Sequence, residues 1–208
     1  AFHRDPLPSN SHLHSALAPY GDRLIAAPIV RPDWPSWRDI VNGTADSGGV
    51  VVRAYPQLWG MSPGDGRLSE LAAACASREL SLQLTVRFED LRQRHALDVA
   101  GDLSAAHVRE LARARTGARI VVSAAGREMI EEVHWGLTPD ERSRVFYDFS
   151  WIWGPPTDDL ATLFRSMGSE RFVYGTMWPL RLTQGARANL ALLPHELSSG
   201  ALADPASW

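Results

Sequence analysis

The 208-residue sequence contains one cysteine, Cys75, and no run of 18 apolar residues. A lone thiol excludes an internal disulfide and a cysteine-rich zinc site. Cys75 lies in the alanine-rich stretch ELAAACASREL, where a buried structural thiol is expected. The missing apolar run excludes a membrane-spanning helix, and the chain does not open on a secretory leader. No glycine-rich phosphate loop follows any apolar segment, so a nucleotide-binding fold has little support. There is no dense basic run or RNA-binding motif, and the formal net charge is −3; no nucleic-acid partner is expected. These absences leave a soluble, cytoplasmic protein as the expectation. The chain starts at Ala1 rather than at methionine, as a processed chain or a piece of a longer one would.

What is present is the makings of a core. With 45% hydrophobic and 22% charged residues, the composition suits one globular domain over residues 1–208 that needs no covalent staples. Six short apolar, β-branched runs recur: RLIAAPIV (Arg23 to Val30), GVVVRAY (Gly49 to Tyr55), LSLQLTVRF (Leu80 to Phe88), ARIVVSAA (Ala118 to Ala125), RVFYDFSW (Arg144 to Trp151) and RFVYGT (Arg171 to Thr176). Several are nearly continuous in hydrophobicity, the pattern of parallel strands covered on both faces. Helical patterns separate them. One is GRLSELAAACASREL; a second is SAAHVRELARARTG, entered through Ser104 and left at Gly117; a third is TDDLATLFRSMG, framed by Thr157 and Gly168. Strand and helix in alternation predict an α/β fold with a parallel sheet. Polar and aromatic residues gather at the ends of several different runs, which favours a (β/α)8 TIM-like barrel over an open doubly wound sheet. Barrels take about 250 residues, so the deficit is expected at the N-terminal end.

The phrase ERFVYGTMWPL near the C-terminus resembles the "adRvlfGTDwP" phrase that ends the last strand in the amidohydrolase superfamily. The likeness is to the branch holding aminocarboxymuconate-semialdehyde-type decarboxylases and lactonases. The stretches YGDRLIAAPIVRPDWP and VVVRAYPQLWGMSPGDGRLSELAAACASRELSLQLTVRFED are similar to segments of the same branch. The resemblance runs from about Asn10 to Pro194 and implies a barrel lacking its first strand, the helix after it and most of its second strand. In that family a divalent metal is typically held by a His-x-His on the first strand, histidines ending the fifth and sixth, and an aspartate ending the eighth. Aligned with those ends are Arg87 and Glu89, then Ser123 and Ala124, then Met177. A thioether is a poor zinc ligand and cannot act as a base. The expectation is a divergent member without the usual metal, and no other cofactor is expected. The pair His12-x-His14 has the first-strand spacing but falls in a predicted helix, where residues two apart diverge. His107, His134 and His195 are read as structural or exposed.

The strand ends then carry any chemistry. Asp148 or Glu89 is the candidate proton acceptor, with His95 a further acid/base or substrate contact, and Arg53 or Arg87 would stabilise a developing oxyanion. Tyr55, Ser150, Trp151, Trp153, Met177 and Trp178 complete the candidate binding set. Trp151 and Trp153 are read as strand neighbours on one side. Guanidinium groups and indoles together suit a small, planar, acidic molecule. For each group the structural alternative stands beside the functional one: an ion-pair network for Arg87 with Glu89 and Asp90, a loop cap or Arg53 partner for Asp148, core plugs for the tryptophans. Two functions follow. One is a hydrolase, lactonase or decarboxylase of amidohydrolase type working without the metal; the other is an inactive barrel kept as a ligand-binding or partner subunit. Two open sheet edges would be sticky, so a homodimer or a missing N-terminal segment is expected to cover them.

Overall fold

The computed structural model describes residues 5–21, 23–90, 92–96, 99–198, 200 and 202–204. Among these, helices α1 (Pro6–Leu17) and α2 (Trp37–Asp46) precede strand β1 (Val51–Ala54). Then follow α3 (Gly66–Ser77), β2 (Ser81–Thr85), α4 (Ala105–Arg113), β3 (Arg119–Ser123), α5 (Arg127–Trp135), α6 (Pro139–Arg142) and β4 (Val145–Asp148). The chain ends with α7 (Asp159–Met167), β5 (Phe172–Val173), α8 (Thr183–Ala191) and α9 (His195–Ser198). Every strand pairs in parallel with the next, in the order β1-β2-β3-β4-β5. Consecutive strands lying side by side is barrel order; a doubly wound sheet reverses direction at a switch point. The fold is the expected parallel α/β arrangement, as part of a barrel.

Of the six expected strands, five form among the described residues. RLIAAPIV forms only an isolated bridge between Ile29 and Arg53, with Arg53 N donating to Pro28 O and Val30 N to Arg53 O, both at 2.8 Å. Pro28 has no N–H to extend the ladder. Beyond Ile29, the side chain of Asn10 from α1 takes the place of another strand. Its Oδ1 accepts from Ile29 N and its Nδ2 donates to Ile29 O, each at 2.8 Å. At the other edge, Ala203 N donates to Phe172 O at 2.8 Å. Both edges therefore carry a polar partner rather than lying bare.

The two sheet faces differ in what covers them. Helices α3 and α7 pack on one face. That face presents Val52, Ala54, Leu82, Leu84, Ile120, Val122, Val145, Tyr147 and Phe172, none more than 2% exposed. Against it α3 turns Leu68, Leu71, Ala72 and Cys75, and α7 turns Leu160, Leu163, Phe164 and Met167, each at helical i, i+3, i+4, i+7 spacing. Burial pushes the Cys75 thiol up to about 12, as befits an inert structural residue. The opposite face carries the alternate residues. The sequence SLQLT of β2 shows this directly: its leucines face the helices, while Ser81, Gln83 and Thr85 line the inner side. Most of these inner residues are buried as well, Ser81, Thr85, Val121, Ser123 and Asp148 among them, so the central strands are covered on both faces, as the near-continuous runs suggested. The helix patterns hold with shifted caps: α4 has Ser104 as its N-cap but ends at Ala114, and α7 starts from Asp158 rather than Thr157 and closes on Gly168. His12 and His14 fall in α1, as expected.

Candidate functional site

The register stacks inner-face residues in layers. Arg53, Gln83, Val121 and Phe146 form one. Thr85 pairs with Ser123, and Asp148 with Val173, toward the C-terminal ends of the strands. The inner face bounds a cavity of about 490 Å³, lined among others by Arg53, Tyr55, Gln83, Ser123, Asp148 and Met177.

Asp148 is the centre of its polar network. The residue is buried, and its Oδ1 accepts from Ser150 Oγ at 2.7 Å and from the backbone N–H groups of Ser150 and Ala124, each at 3.1 Å. Ser123 also bonds to the carboxyl, and Gln83 Nε2 donates to Ser123 Oγ at 2.6 Å. Burial raises the Asp148 pKa, and the hydrogen bonds from Ser150, Ala124 and Ser123 only partly oppose it. Gly175 makes the fit possible: a Cβ there would lie 2.7 Å from Asp148 Cβ and Oδ2. Two non-glycine residues beside this network, Ala124 (φ 59°) and Met177 (φ 53°), hold left-handed backbone, which side-chain-bearing residues adopt at a cost.

Arg53 reaches the Tyr55 hydroxyl; its charge and hydrogen bond oppose the burial that raises the tyrosine's pKa. Arg87 is held differently. It ion-pairs with Asp102 at 2.9 Å, Arg94 contacts the same carboxylate, and the Arg87 guanidinium lies 5.6 Å from the Trp151 ring centre. The expected network with Glu89 and Asp90 is not the one formed: Asp90 pairs with Arg92 at 2.9 Å.

A second cavity of about 510 Å³ adjoins the first across Phe88, Thr176 and Leu180, and is lined by Glu89, Ser150, Trp151, Trp153, Arg181 and Asn189 among others. Strand β4 ends at Asp148, so Trp151 and Trp153 are loop residues rather than strand neighbours. They still meet, around Arg181, whose guanidinium lies 4.5 Å and 5.1 Å from their ring centres. Arg181 was not among the expected residues; nothing in its spacing marks it. Gln83 was also missed, although the SLQLT alternation points it inward.

The structure thus gathers Arg53, Tyr55, Asp148, Met177 and Trp178 around one cavity and Glu89, Ser150, Trp151 and Trp153 around the other. His95 is exposed and lines neither. Among the described residues, no three of His, Cys, Asp and Glu converge as metal ligands do. Asp148 is the buried carboxylate, with Oδ1 already taken by three donors, and Arg87, Ser123 and Met177 add no suitable partner. These side chains do not by themselves make a divalent-cation site.

No family model and no curated protein matches this sequence. Solved structures do. A 2,6-dihydroxybenzoate decarboxylase complexed with 2,6-dihydroxybenzoate superposes with a TM-score of 0.67 at 13% identity, over 98% of this chain and 76% of that one. A 5-carboxyvanillate decarboxylase from Novosphingobium aromaticivorans, with bound manganese, gives 0.67 at 14% identity over 97% and 69%. An uncharacterised TIM-barrel protein from Bordetella bronchiseptica gives 0.67 at 17% identity over 95% and 70%. The fold is therefore the TIM-barrel fold of these structures, and this chain spans about three-quarters of the dihydroxybenzoate decarboxylase.

Proposed function

We propose that the chain belongs to an enzyme that works by acid–base chemistry on a small, planar carboxylic acid, with decarboxylation the favoured reaction over hydrolysis or lactone opening. The observation that carries this is Asp148, a buried carboxyl at the C-terminal end of β4 that opens on the inner cavity with its pKa raised by burial. Active sites of barrels are built at that end, and a carboxyl whose pKa is raised by burial is suited to take up and deliver a proton. Fold neighbours that act on aromatic acids add support.

In this reading Arg53, oriented by Tyr55, binds an acidic oxygen of the substrate. Asp148 passes its proton to the ring carbon that bears the carboxylate. The bond from that carbon to the carboxylate then breaks, its electron pair returns to the ring, and carbon dioxide leaves. Water returns a proton to Asp148. Ser123, Ser150 and the Ala124 N–H hold the carboxyl in place between the two states. The inner face needs cover for this chemistry, since Tyr174, Trp178 and Leu180 are exposed at the cavity. A second copy of the chain or further polypeptide supplies it, and turnover by a monomer in light scattering would remove that requirement.

The test is a panel of hydroxybenzoates and aryl lactones assayed for carbon dioxide and ring product. Asp148→Asn is expected to lower turnover by about 100-fold or more while the melting temperature stays within a few degrees. Unchanged turnover would take Asp148 out of the mechanism, and binding without turnover of any compound would favour a ligand-binding barrel.

A further inference from the structure

The second cavity is built around a cation. Arg181 is half-buried between the indoles of Trp151 and Trp153, at 4.5 Å and 5.1 Å from their ring centres. One of its N–H groups is occupied: Nη1 donates to Ser150 O at 3.0 Å. A guanidinium has five N–H donors. Among the described residues no carboxylate lies within ion-pair distance of it. The acid nearest in effect, Asp90, is already held by Arg92 in a two-pronged contact at 2.9 and 3.3 Å. The N-terminus of α8 adds to the same field. Leu182 caps that nine-residue helix without offering a side-chain acceptor, and Leu182, Gly185 and Ala186 line the cavity. Every fixed cation in this chain is arginine, since the sequence has no lysine; arginine is the residue suited to planar, two-oxygen anions.

From this we propose that the cavity bounded by Trp151, Trp153 and Arg181 is a binding site for an aryl carboxylate, separate from the inner cavity. The carboxylate takes the free edge of Arg181, and the ring lies along the indole wall. The volume of about 510 Å³ is within the range of small-molecule pockets. Glu89, exposed at the rim, opposes an anion and tunes its affinity downward. The site stands or falls without the acid–base role of Asp148.

The probes are benzoate and benzamide, which share a ring and differ in charge, titrated by calorimetry. Wild-type protein is expected to bind benzoate at least about tenfold more tightly, the scale of a charge-assisted hydrogen-bond pair. Arg181→Gln should erase that preference, Arg181→Lys should keep part of it, and Glu89→Gln should strengthen benzoate binding a few-fold. If Arg181→Gln does not fold, the indole N–H resonances of wild type and Trp153→Phe decide: benzoate must shift the Trp151 and Trp153 signals. Equal affinity of wild type for both probes, or resonances that benzoate leaves unmoved, overturns the proposal. Loss of the preference in Arg181→Gln alongside intact turnover sensitivity to Asp148→Asn supports both readings; a retained preference with lost turnover in Asp148→Asn sinks this site alone.

Discussion

The two faces of the same five strands obey different chemistry. Toward the helices stand only apolar and aromatic residues, Val, Leu, Ile, Ala, Tyr and Phe; toward the cavity the polar Arg53, Ser81, Gln83, Thr85, Ser123 and Asp148 stand among Val51, Val121 and Val173. Because strand side chains alternate, each strand contributes one residue to stability and the next to the site. Burial of each large apolar side chain on the helix face is worth about 1.5–3 kcal/mol, whereas a polar inner residue contributes through one or two hydrogen bonds. The lesson is a division of labour at single-residue resolution: the helix face holds the strands in register, and that register sets the layers on the inner face.

Substitutions on adjacent residues should expose this division. Leu84→Ala, on the fully buried face, is expected to cost about 2–5 kcal/mol, read as a lowered urea midpoint with an unchanged slope. Its neighbour Gln83→Ala removes one hydrogen bond to Ser123 and should cost only about 0.5–1.5 kcal/mol. Equal losses would break the comparison. Gly175→Ala is an intermediate case on the inner side. Its new methyl would meet Asp148 Cβ and Oδ2 at 2.7 Å, an overpacking expected to cost about 1–3 kcal/mol and to shift the titration of the Asp148 carboxyl with it.

The smallest effect is the most specific. Asp148 has a folded-state pKa above its unfolded value of about 4. The folded chain therefore holds the extra proton between those two values, and stability from this group is present at low pH and lost as pH rises through the folded pKa. Asp148→Asn should flatten that loss. The gap in urea midpoint between wild type and Asp148→Asn, followed from pH 4.5 to 8, should move against wild type as pH rises. A constant gap would mean that the carboxyl is not desolvated.

Much of the frame was legible in the chain. Apolar runs separated by capped helical patterns predicted the parallel α/β layout, and the ERFVYGTMWP phrase located the last strand. Asp148, Arg53 and Tyr55 were read as strand-end residues, and they do share a cavity. Less legible was anything set by pairing across distance. The first apolar run fails as a strand because Pro28 lacks a donor and Asn10, 19 residues away, takes the place of a neighbour. Glu89 and His95 follow the strand whose end carries Arg87, yet the chain turns them away from the inner cavity. Trp151 and Trp153 converge through Arg181, some thirty residues on.

By itself the sequence determined local conformation and the alternation of residue types, because propensity, capping and period-two patterning act over a few neighbours. Tertiary structure alone decided which polar groups meet. The three donors on Asp148 Oδ1, the room that Gly175 leaves for its carboxyl and the indole clamp on Arg181 each join segments that only the folded sheet brings together. Burial, too, is a property of that assembly: the Asp148 carboxyl titrates upward because the surrounding strands and loops remove its water.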